Sequence, residues 1–346
     1  MSTHGVAEVG DRVSLETPGT ATMSIIEAIR AALQAELERD DRVIVFGMDV
    51  GALGGVFRAT QGLQQRFGEH RVVDTPLAEG AIVGAAIGLA VGGMIPVAEI
   101  QFLGFTYQAF DQIGPQLARF RSRTRGRHPM QVTIRAPYGG GVRTPEFHAD
   151  AVESQFAHTP GIKIAAPAFP ADAYSLLREA IQDPDPVLFI EPQRLYRTVR
   201  GPVDTASAGL PIGRLRTVRQ GSDVTLIAWS AAVHLCLEAA DELRAAGISA
   251  EVIDLRTLAP FDAEGLVAAV RRTGRAVVVH EAPLTGGFGA EIAATLTEEA
   301  FDSLDGPVLR VGSRDVPYPP GALEDHFLPT VPRVVAAARR AVEGRR

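Results

Sequence analysis

Short apolar segments and longer amphipathic segments alternate along this chain. Most of the apolar runs have the length of buried strands, about four to eight residues between turn-forming residues. They lie at 43–47, 72–73, 96–102, 132–135, 162–165 and 187–191 in the first half, and at 224–229, 249–253, 276–280 and 308–311 in the second. Strands that alternate with helices predict parallel sheets covered by helices on both faces. The pattern therefore predicts an α/β fold with two doubly wound domains and mainly parallel sheets.

Helices are predicted in the intervals between these strands. Ser24 and Glu27 have the spacing of a capping box, so a helix should begin there and end near Arg39. Further helices are predicted at 61–67, from Glu79 to about residue 92, from Gln112 to about residue 123, and at 171–182. The stretch 193–221 contains Pro and Gly and lacks periodicity, which is typical of a linker.

The length of the chain, 346 residues, allows two domains that each have a core of their own. We expect a flexible tail at 1–22, a first domain at 23–200, a linker at 201–220 and a second domain at 221–346. The first residues are polar and mixed in charge, without the apolar core of a secretion signal or the Arg-rich pattern of a transit peptide. A cytoplasmic location is expected.

Composition excludes several classes of function. Hydrophobic residues make up 46% and charged residues 22%, which is ordinary for a globular protein. The formal net charge of −7 argues against nucleic acid as the main partner. Cys236 is the only cysteine, so an internal disulfide and a cysteine-based metal site are both excluded. The sequence also contains no asparagine, and Lys163 is its only lysine.

The stretch 74–112 carries the strongest candidate for chemistry. Glu79 opens an almost wholly apolar helix in which glycine recurs every fourth residue, at 80, 84, 88 and 92. Residues four apart share one helix face, so these glycines form a ridge that another backbone can approach closely. Aromatic residues follow at Phe105, Tyr107 and Phe110. One acid, a close-packed helix and an aromatic wall together predict a site for a flat heteroaromatic cofactor.

Two other interpretations fit the same stretch. The uncharged run at 80–98 has the length of a membrane span, but Pro96, the flanking acids Glu79 and Glu99, and the absence of a second span argue against one. Alternatively, the helix belongs to the core and Glu79 is a solvated first-turn acid, which the helix dipole favours.

Several motifs in order resemble the beta subunit of the thiamine-diphosphate-dependent component of 2-oxoacid dehydrogenase complexes, most of all the branched-chain type. The resemblance extends from about Met23 to the last helix. It rests on D-T-P-L-A-E (74–79), A-E-I-Q-F (98–102), A-F-D-Q-I (109–113), F-A-H-T-P-G-I-K (156–163), G-S-D-V-T-L-I-A-W (221–229), E-V-I-D-L-R-T-L-A-P (251–260), H-E-A-P-L-T-G-G-F (280–288) and D-V-P-Y-P-P (315–320). Each motif is weak alone, whereas the ordered set is specific.

The resemblance implies a transketolase-like pyrimidine-binding domain followed by a transketolase C-terminal-like domain, in an α2β2 heterotetramer with an alpha subunit. Thiamine diphosphate would lie between the subunits, with its diphosphate and Mg2+ on an alpha-chain motif that ends in Asn. A chain without Asn cannot complete that motif, so an alpha partner is required. The implied reaction decarboxylates a 2-oxoacid and transfers the acyl group to a lipoyl-bearing acyltransferase core. The glycine ridge would pack at the tetramer centre, and the second domain would bind the acyltransferase.

The resemblance also assigns roles to individual residues. Glu79 would bond the pyrimidine ring nitrogen, Phe105 would pack on that ring, and Leu77 would add an apolar contact. His148 would act in acyl transfer, although the family commonly has H-S-Q-S-x-E where this chain has H-A-D-A-V-E at 148–153. A potassium ion held mostly by main-chain carbonyls would use the matching positions Val132, Thr133, Ala180, Asp183 and Asp185.

Three functions are open at this point. The first is a branched-chain 2-oxoacid dehydrogenase beta subunit acting on substrates such as 3-methyl-2-oxobutanoate. The second is the same component for pyruvate or acetoin, and the third is a non-catalytic assembly subunit, which the altered segment after His148 motivates. His280 and Glu281 could be considered an acid–base pair, but strand–turn–helix geometry accounts for both residues, so we favour a structural role.

Overall fold

A computed structural model describes residues 19–344 and contains two separate parallel sheets. The strands are β1 (Thr20–Ser24), β2 (Val43–Gly47), β3 (Val72–Asp74), β4 (Ile95–Glu99), β5 (Thr133–Tyr138), β6 (Lys163–Ala165), β7 (Val187–Pro192), β8 (Arg200–Asp204), β9 (Arg216–Arg219), β10 (Val224–Ala228), β11 (Ala250–Asp254), β12 (Thr257–Ala259), β13 (Ala276–Pro283) and β14 (Leu309–Ser313).

Helices connect these strands. The α-helices are α1 (Ile25–Arg39), α2 (Leu63–Phe67), α3 (Glu79–Val91), α4 (Ala118–Arg123), α5 (Glu153–Ala157), α6 (Pro170–Gln182), α7 (Ala231–Ala245), α8 (Ala263–Thr273), α9 (Gly289–Glu299), α10 (Glu324–Phe327) and α11 (Val331–Glu343). Short 3₁₀ helices lie at Leu103–Ala109, Glu146–His148, Gln193–Leu195, Phe301–Ser303 and Gly321–Leu323, and a π-helical turn lies at Gln112–Leu117.

The first sheet has the strand order β12-β6-β7-β5-β4-β2-β3, and all of its pairs are parallel except β12 with β6. The second has the order β14-β13-β10-β11-β9 and is parallel except for its edge pair, β11 with β9. The predicted α/β fold with two mainly parallel sheets is confirmed.

Four strands were not predicted, namely β1, β8, β9 and β12. β8 and β9 lie in the aperiodic stretch around the expected linker, and β12 leaves the second half of the chain to pair with β6 of the first sheet. β1, β8 and β9 are edge strands with few apolar residues and β12 has only three residues, so the hydrophobic pattern does not reveal them. Of the expected N-terminal tail, residues 1–18 lie outside the described residues, and its end is β1, which pairs with β8.

The capping box at the start of α1 is confirmed. The Ser24 hydroxyl accepts a hydrogen bond from the Glu27 amide, and the Glu27 carboxylate accepts one from the Ser24 amide at 2.7 Å. These bonds satisfy two amides that the first helical turn would otherwise leave free. The apolar face of α1 then packs against α6 within one of the hydrophobic cores.

Arg256 stabilises the segment that connects the two halves of the chain. Its guanidinium is fully buried, pairs with Asp172 of α6 at 2.9 Å, and donates to the carbonyl oxygens of Leu210, Pro211 and Arg214. A buried cation is stable only when its donors are satisfied, and here main-chain carbonyls of the connection provide the acceptors. The connection therefore follows a fixed course between the two sheets.

The apolar helix α3 is exposed along one face. Ile82, Val83 and Ala86 are buried, whereas Ala81, Ala85, Gly88 and Val91 are exposed. Within residues 19–344, no helix combines the length and the apolar character that crossing a membrane requires.

Candidate active site

The predicted site residues follow the carboxyl ends of strands in the first sheet. Glu79 comes after β3, Phe105 after β4 and His148 after β5, and these strands lie close together in the order β5-β4-β2-β3. Because the carboxyl ends of parallel strands meet at one edge of a sheet, connections from several strands converge there. The topology therefore brings these chain segments to one edge of the sheet.

Glu79 is the first residue of α3 and is only 7% exposed. Ala78 stands at the N-cap and provides no side-chain cap. Within residues 19–344, no hydrogen bond or ion pair with another side chain engages the Glu79 carboxylate. Its carboxylate oxygens are not among the fully buried polar atoms, so they stay accessible although most of the side chain is covered. The carboxylate is therefore free to accept a hydrogen bond from a ligand donor.

The glycine ridge brings α3 against the segment that carries Phe105. A Cβ at Gly80 would lie 3.3 Å from the Gln108 carbonyl oxygen, and one at Gly84 would lie 3.6 Å from the side chain of Gln112. Gly80 and Gly84 therefore have neighbours in the same chain, whereas Gly88 and Gly92 of the same ridge are exposed together with Ala81 and Ala85. The packing of the ridge at a tetramer centre stays a prediction.

An aromatic cluster joins Phe105 to His148. The ring centroids of His148 lie 4.6 Å from Phe102 and 5.0 Å from Phe105, both with edge-on geometry, and Phe147 packs on Phe105 at 5.2 Å. Edge-to-face packing orients rings as well as burying them. The structure thus brings two of the predicted site residues into contact, and Phe102 and Phe147, which the sequence analysis did not assign to the site, complete the cluster.

Gly104 makes this contact possible. A Cβ at position 104 would clash with the carbonyl oxygen of Phe147, so a larger residue would push the segment Glu146–His148 away from the aromatic segment. Glycine is needed here for close backbone approach and not for an unusual dihedral angle. The Nδ1 atom of His148 is buried and has no hydrogen-bond partner among the described residues.

Leu77 lies just before α3 and is 61% exposed. A single exposed leucine is common at protein surfaces, so its exposure by itself assigns no role. Its exposure leaves Leu77 available for contact with a ligand or another subunit.

The side chains at the predicted potassium site already have cationic partners. Lys163 contacts both oxygens of Asp183 at 2.7 Å, and Arg121 pairs with Asp185. The Val132 carbonyl accepts from the Val187 amide at 2.9 Å, and the Thr133 hydroxyl is buried without a partner among the described residues. Ala180 lies in the last turn of α6, and its carbonyl accepts a hydrogen bond from the Asp183 amide. The carboxylates therefore do not fit the role of potassium ligands, and the site stays a prediction.

His280 and Glu281 do not act on each other. The His280 ring is fully buried, stacks on Trp229 at 5.3 Å, and its pKa is lowered to about 4, mainly because burial disfavours the charged form. Glu281 instead accepts a hydrogen bond from the Gly140 amide at 2.9 Å and pairs with Arg194 at 2.9 Å. Both contacts are structural.

Carboxylate and imidazole groups elsewhere form no metal centre in the described part of the chain, residues 19–344. No group of three or more His, Cys, Asp or Glu side chains is arranged to hold an ion there.

Comparison with known protein families identifies relatives of this chain. The pyrimidine-binding domain of transketolase matches residues 21–199, and the C-terminal domain of transketolase matches residues 213–334. The pyruvate dehydrogenase E1 component subunit beta of Staphylococcus epidermidis is 50% identical over 93% of this chain and 99% of its own length. The chain belongs to the family of 2-oxoacid dehydrogenase E1 beta subunits.

Other members of this E1 beta family are similarly close. The pyruvate dehydrogenase E1 component subunit beta of Bacillus subtilis is 49% identical over 93% of this chain and 99% of its own length. The 3-methyl-2-oxobutanoate dehydrogenase subunit beta of Mycobacterium tuberculosis is 48% identical over 93% of each chain. Among solved structures, a split-gene transketolase described as an inactive beta4 tetramer has a TM-score of 0.75 at 27% identity, over 94% of this chain and 99% of that one.

Proposed function

We propose that this chain binds the aminopyrimidine half of thiamine diphosphate and acts, together with an alpha subunit, in a 2-oxoacid dehydrogenase. The observation that carries the proposal is the accessible, unpartnered carboxylate of the largely buried residue Glu79 at the edge of the first sheet, on a helix that packs against the segment bearing Phe105. The pyrimidine-binding family model covers this region and supports the assignment. When bound, thiamine diphosphate supplies the electron sink for decarboxylation.

Glu79 is the proposed acid–base residue. Its carboxylate would share a proton with a ring nitrogen of the pyrimidine and so favour the tautomer in which the exocyclic nitrogen is a base. A buried site strengthens such a hydrogen bond because water does not compete for it. Phe105 would pack against the ring, and Leu77 would cover its edge.

His148 is proposed to act when the acyl group passes to a lipoyl arm. Its ring stands at the carboxyl edge of the first sheet, held edge-on by Phe102 and Phe105. The buried Nδ1 atom without a partner gives the imidazole a site at which a proton can be held. The replacement of the family's usual Ser and Gln by Ala149 and Asp150 leaves these neighbours without that pair of hydrogen-bonding groups.

An alpha subunit is the proposed partner, in an α2β2 heterotetramer. The exposed apolar side chains of Leu77 and Val91 flank α3, whose outer face is also apolar, and such a face is typical of a subunit interface. The alpha chain would hold the diphosphate and Mg2+. The similar split-gene transketolase is described as inactive in its beta4 form, which accords with a beta-type chain that needs another subunit. A lipoyl-bearing acyltransferase core is the proposed second partner, bound by the domain at 221–346.

The preferred 2-oxoacid lies between two candidates. Relatives that act as pyruvate dehydrogenase and as 3-methyl-2-oxobutanoate dehydrogenase are 50% and 48% identical, a difference too small to choose between them. Pyruvate is favoured slightly by identity, and the branched-chain acid by the motifs. The third possibility, a non-catalytic assembly subunit, is separated from both by activity.

The test compares Glu79→Gln with wild type after each is purified together with its alpha subunit. Thiamine-diphosphate-dependent decarboxylation is measured with an artificial electron acceptor, using pyruvate and 3-methyl-2-oxobutanoate in parallel. Loss of a positioned acid–base group should lower turnover by about 10²- to 10⁴-fold. Glu69→Gln is the matched control, because Glu69 is exposed in the loop before β3.

Each outcome decides a different part of the proposal. Turnover that collapses in Glu79→Gln and persists in Glu69→Gln supports the catalytic role, and the better substrate names the 2-oxoacid. Turnover that is equal in wild type and Glu79→Gln would exclude Glu79 as the acid–base residue. Absence of turnover in a complete wild-type complex would favour the assembly subunit.

A further inference from the structure

One side chain, that of Gln193, forms hydrogen bonds with both ends of the loop that carries His148. This loop, residues 139–148, leaves β5 at the carboxyl edge of the first sheet and ends in the segment Glu146–His148. Gln193 follows β7, the neighbour of β5, and is only 4% exposed. Its amide nitrogen donates to the carbonyl oxygen of Gly139 and to that of His148, the latter at 3.0 Å.

These two hydrogen bonds hold the first and the last residue of the loop close together. The amide nitrogen of Gln carries two hydrogens, so a single side chain can bond both carbonyls at once. A buried carbonyl that lost its donor would be left unsatisfied, which makes the closed arrangement the favoured one. The backbone of His148 is thereby held at a fixed distance from the end of β5.

The second half of the chain holds the same loop from the other side. The Gly140 amide donates to Glu281, and the Gly141 and Arg143 amides donate to Glu324, which is 1% exposed. Tyr318 also donates to Glu324, at 2.5 Å. Hydrogen bonds from main-chain amides to buried carboxylates are charge-assisted and therefore strong.

Glycine is required where the two halves meet. Gly139 has a φ of +84° and a Cβ there would lie 2.6 Å from a carboxylate oxygen of Glu281. A Cβ at Gly140 would clash with the hydroxyl of Tyr318. The three glycines 139–141 thus let the backbone reach the carboxylates, and the fit leaves little freedom for the loop to move.

We propose that Gln193 is a positioning residue for His148. Glu281 and Glu324, from the second half of the chain, hold the same loop, and we call their contacts together with those of Gln193 the clamp. Gln193 acts through the backbone of the loop and does not touch the reacting atoms. The position of the imidazole against Phe102 and Phe105 depends on where this backbone is held. The inference rests on the role in acyl transfer proposed for His148.

The first experiment measures the clamp without reference to activity. Amide hydrogen exchange at residues 139–148 is compared in wild type, Gln193→Met and Gln182→Met. Methionine has nearly the shape of glutamine but no donor, and Gln182 makes a comparable amide bond to Glu36 on α1, far from the loop. Exchange in the loop should be at least about tenfold faster in Gln193→Met and unchanged in Gln182→Met.

The second experiment uses the complex with the alpha subunit and the lipoyl-bearing core. The overall reaction is divided by decarboxylation with an artificial acceptor, so a general loss of folded protein cancels from the ratio. Gln193→Met should lower this ratio about tenfold, because misplacing a reacting group by a fraction of an ångström has effects of that order. His148→Ala should lower it at least as far, and Gln182→Met should leave it unchanged.

The two failures are distinguishable. An unchanged ratio in His148→Ala would remove the proposed role of His148, whatever Gln193 does. A lowered ratio in His148→Ala with wild-type exchange and ratio in Gln193→Met would overturn the positioning role of Gln193. If Gln193→Met does not fold, Glu324→Gln provides the same test from the other side, since it removes the charge that the Gly141 and Arg143 amides bond.

Discussion

Glu79 and Glu99 are two buried acids at the same edge of the first sheet, and only one of them is paired. Glu79 begins α3 and is 7% exposed, while Glu99 ends β4 and is 5% exposed. Glu99 accepts from Arg135 at 2.7 Å, and Arg135 also makes two bonds to Glu191, at 2.7 and 3.0 Å. No other side chain within residues 19–344 bonds the Glu79 carboxylate.

The difference separates an acid that is paired within the scaffold from one that is open to a ligand. Burial raises the pKa of Glu99, while the charge of Arg135 acts in the opposite direction and that of Glu191 raises it again. The network, which also takes a hydrogen bond from Tyr196 to Glu191 at 2.6 Å, satisfies its own groups. Glu79 makes no such contact, and its carboxylate oxygens are not among the fully buried atoms, so they remain available to a ligand.

The largest expected effect is on stability, from Arg135→Met. Removing the guanidinium leaves Glu99 and Glu191 buried and unpaired, so the free energy of unfolding should fall by about 3–5 kcal/mol. Equilibrium unfolding in urea measures this. Arg121→Met is the control, because Arg121 pairs with Asp185 at the surface, where water screens the pair. Equal losses in the two variants would mean that the buried network contributes no more than a surface pair.

A third buried acid, Glu153 at the start of α5, should make stability depend on pH. Burial, together with the nearby charge of Glu281, raises its pKa from 4.5 to about 7, and Tyr138 and Trp229 are its other polar neighbours. The unfolded chain releases this proton above pH 4.5 while the folded chain keeps it, so folding becomes less favourable as the pH rises toward 7. The total loss is about 3 kcal/mol and is complete above pH 7.

Glu153→Gln tests this dependence because the amide does not titrate. Relative to wild type, the variant should gain stability between pH 5 and pH 8, by up to about 3 kcal/mol in the free energy of unfolding. Glu69→Gln, an exposed position, should follow the wild-type curve. A constant difference between Glu153→Gln and wild type at both pH values would show that Glu153 does not titrate in this range.

The elements of this fold that are encoded by local patterns could be predicted from the sequence. Central strands such as β2 and β10 are continuous apolar runs, and the cap of α1 is a local pattern of Ser24 and Glu27, so both could be predicted. The segments of Glu79, Phe105 and His148 could be placed at one sheet edge because each follows a predicted parallel strand. Their chemical roles remain predictions.

The contacts that the sequence did not reveal join residues distant in the chain. Glu324 meets Gly141, and Gln193 meets Gly139, through polar bonds that leave no periodic pattern. Edge strands β8 and β9 escape for a related reason, since pairing on one side only demands few apolar residues, and β12 is too short to form a pattern. The packing of the second half on the first creates the contact of Glu324 with Gly141, whereas the pairing of β7 with β5 brings Gln193 to Gly139.

The smallest expected effect completes the comparison and concerns Glu79 itself. Because its carboxylate bonds no other described side chain, Glu79→Gln removes no interaction from the folded chain, and the free energy of unfolding should change by less than about 1 kcal/mol. Urea unfolding of the isolated chain measures this beside Arg135→Met. A loss as large as that of Arg135→Met would make Glu79 a structural acid. A small change in the free energy of unfolding together with a large loss of turnover would instead show that Glu79 acts on a bound ligand, because the fold would not depend on this carboxylate.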